Sequence, residues 1–307
     1  MEDLNALPLN ELFRRLTAAG SLHRLLVSAR DEDLGRIGDI TTRSIIDRDR
    51  TAQAELSSRE AGIVAGGAAI SAIADEFGVK LTAECIIADG DACEAGETIA
   101  RLSGGLADLL MIERTLLNLV GRLSGIASLT RRFVDAVSGT GARICETRKT
   151  TPGMRSLEKY AARCGGGTLH RLGLFDAALY KDNHLSHLAS NELAGALREA
   201  IQQVRSSHEV RFVEVEVDTL EQLAEVLSLG QLVDIVLLDN MPPSVLREAV
   251  MLRDRHAPKV ELEASGGITL ETVRSIAETG VERISVGALT HSAPALDLGL
   301  DIKPGTG

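Results

Sequence analysis

The chain has 307 residues, 44% of them hydrophobic, and its 33 Lys and Arg face 44 Asp and Glu for a formal charge of −11. A protein this acidic, with pI about 5.2, lacks the broad basic face that nucleic acid requires. Aromatics at 2% and the absence of Trp leave few stacking platforms, and no apolar run reaches the ~18 residues of a membrane span, because Glu113, Arg114 and Arg122 interrupt the most hydrophobic stretch.

The N-terminal MEDLNALPLN has no basic region followed by an apolar run, so no signal peptide is expected. Cys85, Cys93, Cys145 and Cys164 show no zinc or CxxC spacing and read as free thiols in a reducing cytoplasm. Leu12, Leu16, Leu22, Leu25 and Leu26 space an apolar helical face up to about residue 30, and DEDLGRIGDITT then reads as an irregular acidic loop. TAQAELS alternates as a strand, GIVAGGAAISAIADEFG as strand, Gly turn and helix, and residues 80–102 as short strands of a small sheet punctuated by DGD and EAGE. One long helix or a helix pair is predicted over 107–137, with Gly121 and Gly125 marking tight packing.

From residue 142 a different texture begins. Short β-branched runs at 142–145, 177–180, 211–217, 233–238, 259–262 and 283–286 alternate with helical patterns such as LAGALREAIQQVR, LEQLAEVLSLG, PSVLREAVMLRD and LETVRSIAETG. Strands alternating with helices predict a parallel sheet. Each run ends in polar or Gly residues, which describes the ligand-facing rim of a β/α barrel. An open doubly wound sheet would involve fewer strand ends.

The segment CETRKTTPGMRSLEKYAARCGGGTLHRLGLFDAALYKDNH carries seven Lys and Arg against four acids, leaving 26 bases and 40 acids for the rest. A positive focus inside a negative envelope suits a small polyanion. Arg148, Lys149, Arg171 and Lys181 would converge at one rim and suit a dicarboxylate or a phosphorylated substrate; Arg155, Lys159 and Arg163 read instead as surface charges or salt-bridge partners on a helix. Glu216 and Asp239, on successive strands, can hold Mg²⁺ and ribose hydroxyls or simply neutralise the nearby cations. Ser265, Gly266, Gly267 and Gly287, between strand and helix, offer backbone N–H groups to phosphate. His170 and His184 lack metal-ligand spacing, and Cys164 reads as structural.

The ordered motifs ETRKTTPG, KYAARCGGG, HRLGL, ALYKDNH, VEVEVD, LLDN, EASGGI and VGALTHS resemble the quinolinate phosphoribosyltransferase family, with GDITT and ERTLLNLVGRLSGIASLT extending the likeness over nearly the whole chain. The resemblance implies transfer from phosphoribosyl pyrophosphate (PRPP) to quinolinate, giving nicotinate mononucleotide, pyrophosphate and carbon dioxide with Mg²⁺. It implies an N-terminal α/β sandwich domain over 1–115, with the tail from about 290 packing back on it, and an incomplete C-terminal β/α barrel over 116–289. It also implies a homodimer with shared active sites. By motif, Arg114, Thr147, Arg148, Lys149, His170, Arg171 and Lys181 would line the quinolinate pocket. Glu216 and Asp239 would face ribose and metal, and Ser265, Gly266, Gly267, Gly287, Ala288 and His291 would hold phosphate. Lys149, Lys181, Glu216 and Asp239 are the candidate catalytic residues. One departure is Leu169 where the family usually has Asn before His-Arg. Alternatives are a paralogue acting on another pyridine carboxylate, a molybdenum-transport-associated relative, or a non-catalytic phosphate-binding barrel.

Overall fold

The computed structural model describes residues 2–47, 49–185 and 192–304. The backbone forms two compact units. One contains Leu4–Arg131, Thr150–Gly166 and the segment beginning at Leu289; the other contains Arg132–Lys149 and Gly167–Ala288.

In the first unit, buried Leu12, Leu16, Leu22 and Leu26 supply the apolar faces of helices α1 (Leu9–Thr17) and α2 (Ser21–Leu34). The acidic stretch expected to be irregular is partly helical. α2 continues to Leu34, and Asp39 caps α3 (Ile40–Ile45) by accepting from the Thr42 N–H at 2.9 Å. A capping aspartate satisfies a first-turn donor, which is the signal carried by GDITT. Strand β1 (Thr51–Ser58) alternates in burial as its sequence requires. β2 (Gly62–Ile63), α4 (Ile70–Phe77), β3 (Leu81–Cys85), β4 (Ala92–Cys93) and β5 (Thr98–Gly105) follow, and α5 runs unbroken over Leu106–Ala136.

The second unit begins with β6 (Arg143–Cys145) and continues, after α6 (Arg155–Cys164), through β7 (Ala178–Tyr180), α7 (Asp182–Leu185), α8 (Leu193–Ser207), β8 (Val213–Val217), α9 (Leu220–Leu227), β9 (Ile235–Asp239), α10 (Pro243–His256), β10 (Glu261–Ser265), α11 (Val273–Ala277) and β11 (Arg283–Ser285). Its six strands form one parallel sheet in the order β6-β11-β10-β9-β8-β7. The terminal strands β6 and β7 do not pair with each other, so the barrel is incomplete. Thr168 adds a parallel bridge to Cys145 beyond β6, its N–H donating to the Ile144 carbonyl at 2.7 Å. The fifth strand is shifted from its expected place at 259–262: Glu263 sits inside β10, not after it.

Side-chain alternation along these strands explains the interior. Val213, Val215 and Val217 of β8 are buried on one face, so Glu214 and Glu216 share the other. In β10 Leu262 and Ala264 oppose Glu261, Glu263 and Ser265, and in β11 Ile284 opposes Arg283 and Ser285. Polar residues therefore occupy the inner face, where branched aliphatics usually fill a barrel.

The chain closes with α12 (Ala288–His291) and β12 (Leu298–Pro304), and β12 pairs antiparallel with β1 in a sheet ordered β12-β1-β5-β3. Gly125 makes this return possible: a Cβ there would lie 1.9 Å from the Pro294 carbonyl oxygen. Within the same unit α1 packs on α6, with the Phe13 and Tyr160 rings edge to face at 5.0 Å. The reading of α6 as a surface helix is thereby corrected, since Lys159 is fully buried. Arg163 donates to the Asn5 carbonyl at 3.0 Å and Arg155 to Thr150 Oγ1 at 3.1 Å. Glu158, also fully buried, accepts from Arg122 Nη2 at 2.8 Å and from the Thr151 N–H at 3.0 Å. Arg122 Nη1 donates to the Ala293 carbonyl at 2.8 Å, which ties α5, α6 and the returning tail together.

Candidate active site

The barrel unit gathers its polar residues at the carboxyl ends of the strands. Thr147, half-buried Arg148 and exposed Lys149 follow β6, and the Lys149 N–H donates to Thr147 Oγ1 at 3.0 Å. His170 and Arg171 follow the Thr168 bridge, and both are buried. Lys181 leaves β7 and binds Glu216 of the neighbouring β8 through its ammonium. The His184 Nδ1 accepts from the Lys181 N–H at 2.9 Å. Asp239 ends β9 in register with Ser265 at the end of β10. Thus Arg148, Lys149, His170, Arg171, Lys181, Glu216, Asp239, Ser265, Gly266, Gly267, Gly287 and Ala288 belong to one unit. Arg114 and His291 belong to the other. There Arg114 is exposed on α5 and forms no hydrogen bond or ion pair among the described residues, which removes an internal tie to Glu113. His291 Nδ1 lies 2.6 Å from Ser292 Oγ.

The loops after β9 and β10 interlock. Asn240 has φ 53°, a left-handed conformation uncommon for a non-glycine residue, and its N–H donates to the Ser265 carbonyl at 2.9 Å. Its Nδ2 donates to Asp239 Oδ2 at 2.6 Å. A Cβ on Gly266 would stand 2.1 Å from Asn240 Oδ1, and both Gly266 and Gly267 have positive φ. At residues 265–267 the expected helix does not follow directly, since α11 begins only at Val273, whereas Gly287 immediately precedes the four-residue α12. Whatever anion capacity these loops have comes from consecutive backbone N–H groups.

Deeper in the barrel lies a cluster that the motifs did not single out. His170 Nε2 is 3.0 Å from Glu214 Oε2 and 3.3 Å from Glu263 Oε1. Glu263 also binds Arg283 Nε at 2.5 Å and the Ser285 hydroxyl. Glu214 and Glu263 are fully buried. Burial, and then the charge of Glu263, push the Glu214 carboxyl up. Burial works against the Glu263 anion too, but His170 and Arg283 outweigh it and hold its carboxyl well below the usual range. Burial likewise opposes protonation of His170, yet the two carboxylates push it up to about 10. Against this, the Arg171 N–H donates to His170 Nδ1 at 2.7 Å, which requires a bare Nδ1 and a proton on Nε2. The hydrogen bond makes His170 the neutral tautomer with its proton on Nε2, and Glu214, whose carboxyl burial and the charge of Glu263 push up, is the group that takes a second proton. With Arg283 cationic, Glu263 anionic and Glu214 protonated, the cluster is neutral. By donor type and spacing, His170, Glu214 and Glu263 can also hold a divalent cation, their atoms lying within 4.8 Å of one another. Arg283 already supplies the positive charge on one flank.

The anion pocket shows the opposite balance. The Arg171 guanidinium is held below its ordinary value by burial first and by the neighbouring charge of Arg148 second. Two guanidiniums set against each other attract a ligand with two negative groups. Three cysteines offer no activated thiolate: burial raises the thiols of Cys85 and Cys164 and pushes Cys145 up to about 12.

Residues 39–124 match the family described as quinolinate phosphoribosyl transferase, N-terminal domain, and residues 126–301 match its C-terminal domain. The chain belongs to the quinolinate phosphoribosyltransferase family. It is 43% identical over 273 residues to the nicotinate-nucleotide pyrophosphorylase [carboxylating] of Mycobacterium leprae, covering 88% of this chain and 93% of that one. The crystal structure of the Ehrlichia chaffeensis nicotinate-nucleotide pyrophosphorylase is 38% identical with a TM-score of 0.81, covering 92% of this chain and 98% of that one. The Francisella tularensis nicotinate-nucleotide pyrophosphorylase is 34% identical with a TM-score of 0.84, covering 99% and 100%. Leu169 of this family member is an apolar side chain buried beside the Thr168 bridge.

The sequence did hold a signal for the inner cluster. Glu214 and Glu216 two apart among valines, and Glu261 and Glu263 two apart in β10, must share a strand face. A carboxylate in the middle of such a run is forced inward, where it needs partners.

Proposed function

We propose that this protein transfers the phosphoribosyl group of PRPP to quinolinate, releasing pyrophosphate and carbon dioxide and forming nicotinate mononucleotide for NAD biosynthesis. The family match over both domains carries this reading, and the Arg148–Arg171 pair supports a dicarboxylate as acceptor.

The pocket residues hold and orient. Arg148 and Arg171 meet the two ring carboxylates, Lys149 and Lys181 add compact charges, and the pyridine nitrogen is turned toward the ribose carbon. Attack passes through an oxocarbenium-like state, so positioning and charge supply the rate enhancement. Pyrophosphate leaves toward cationic groups and the backbone N–H groups around Ser265, Gly266, Gly267, Gly287 and Ala288. The positive pyridinium then stabilises the electron pair left on the ring carbon as the neighbouring C–CO₂⁻ bond breaks and carbon dioxide departs, and that carbon takes a proton from water. No nucleophilic side chain is required, in keeping with the raised thiols.

Glu216 and Asp239 would hold Mg²⁺. They are oxygen donors on adjacent strands, and unlike the inner cluster they are not fully buried, the donor chemistry that a hard cation favours. Bound there, Mg²⁺ supplies positive charge to the leaving pyrophosphate. The reading extends to a homodimer in which exposed Arg114 completes the pocket of the partner subunit, and to a reducing, cytoplasmic setting for the four free cysteines. Incubating purified protein with quinolinate, PRPP and Mg²⁺ should yield nicotinate mononucleotide and one carbon dioxide per turnover. Absence of both products would refute the assignment.

A further inference from the structure

The barrel holds more buried charge than the reaction described above consumes. Glu214, Glu263, Arg283 and Ser285 have no substrate role in it, yet none is more than 7% exposed. Burying such groups is costly unless each is paired, and well-packed apolar residues would often serve stability as well or better. Their retention around a single imidazole therefore calls for a use.

The contacts run in one direction. Arg283 and Ser285 fix the Glu263 carboxylate, and Glu263 and Glu214 stand 3.3 and 3.0 Å from Nε2 of the His170 ring. On its other side the ring accepts from the Arg171 N–H at 2.7 Å, while the N–H of His170 itself donates to Glu146 Oε1 at 2.8 Å. The two peptide N–H groups that precede and follow the His170 side chain are thus both held by buried acceptors. Arg171 needs such restraint. Its guanidinium stands near another, and without a ligand the two repel. A donor held in place before the ligand arrives avoids the ordering cost of binding.

We propose that Glu263 is a positioning residue for the dicarboxylate pocket: anchored by Arg283 and Ser285, it locks the His170 ring, and the ring locks the Arg171 backbone so that the guanidinium faces the acid substrate. This rests on the assignment of Arg171 to quinolinate made above. The competing account is that Glu263 only neutralises Arg283.

The test uses the full-length enzyme and steady-state kinetics with each substrate varied in turn. Wild-type protein that neither binds nor turns over quinolinate would remove the functional reading and this proposal with it. Given wild-type activity, Glu263→Gln should raise KM for quinolinate about tenfold or more while KM for PRPP and kcat stay within about threefold. A purely structural role would lower kcat by reducing the active fraction and leave both KM values unchanged, and that result overturns the proposal. Glu263→Gln combined with Arg283→Met removes both charges of the pair and guards against misfolding of the single variant. The double variant should keep the raised KM for quinolinate. Recovery of the wild-type KM would mean that Glu263 merely neutralises Arg283, and the proposal falls; should the single variant fail to fold, the double variant decides by the same criterion.

Discussion

Quinolinate has two ring carboxylates and nicotinate one, so the two acids test the guanidinium pair directly. Arg171 is 7% exposed, and Arg148 adds to the burial that already disfavours its charge. A dicarboxylate sets one carboxylate against each guanidinium. A monocarboxylate leaves one of the two facing a like charge without a carboxylate of the ligand. Truncating one partner of a buried charge pair costs about 2–5 kcal/mol, which corresponds to roughly 30- to 4000-fold in affinity. Turnover would mix this effect with the decarboxylation step, so the cleaner assay is competitive inhibition against quinolinate. Benzene-1,2-dicarboxylate keeps both carboxylates and lacks the attacking nitrogen; it should inhibit at concentrations near KM. Nicotinate should need at least ~30-fold more. Inhibition constants within about threefold of each other would mean that the pocket does not count carboxylates, and the argument from Arg148 and Arg171 would fail.

Glu216→Gln and Asp239→Asn should impair use of PRPP while leaving quinolinate affinity within about tenfold, roughly 1.4 kcal/mol; a larger loss in a quinolinate titration would place these carboxylates at the other substrate. Glu158→Ala removes the fully buried partner of Arg122 and Thr151, and denaturant unfolding should show a loss of about 3–5 kcal/mol. The Thr42 hydroxyl and N–H hold the Asp39 carboxyl below its ordinary value; its capping contribution is therefore present above the usual carboxylate range and lost as pH falls through the depressed pKa. A Thr42→Val variant whose Asp39 titrates no higher by NMR would contradict that cause. Mixing inactive Arg114→Ala with inactive Lys181→Ala protein should restore activity toward about one quarter of wild type if subunits exchange randomly, half the dimers then having one intact site. No recovery despite verified exchange would mean that Arg114 serves its own chain.

The rim was legible because its signals are local. A β-branched run followed by charged or Gly residues announces a strand end, and the residues of ETRK, KDNH and LLDN lie where that pattern puts them. Other features depend on partners distant in sequence. Lys159 reads as a surface charge or a salt-bridge partner because α6 carries charges on several faces, yet it is fully buried on a helix that packs against α1. The shift of β10 to Glu261–Ser265 follows from pairing with β9, where Ser265 stands opposite Asp239. The run KVELEAS fits either register by propensity alone. At residues 35–45 Gly and Asp read as loop formers, whereas Asp39 caps α3, a local signal that the pattern D-x-x-T carries.

Two pairs of carboxylates show how depth alone assigns chemistry. Glu214 and Glu216 share a face of β8 but differ by about 6–7 Å along the strand. At the deeper level Glu214 meets Glu263 and His170, water is excluded, and the second negative charge is not tolerated, so one carboxyl rises and the other falls. Arg283 then closes the account of charge, and the set is neutral without any ligand. One step up, Glu216 meets the Lys181 ammonium, and Asp239 on the next strand meets, among the described residues, the neutral Asn240 amide. Neither is fully buried. The rim pair is therefore the one with negative charge left for a hard cation, whereas the inner trio can accept a dication only by giving up the Glu214 proton and facing Arg283. The same alternation that places a glutamate at the substrate places another beneath it, where it can steady the pocket.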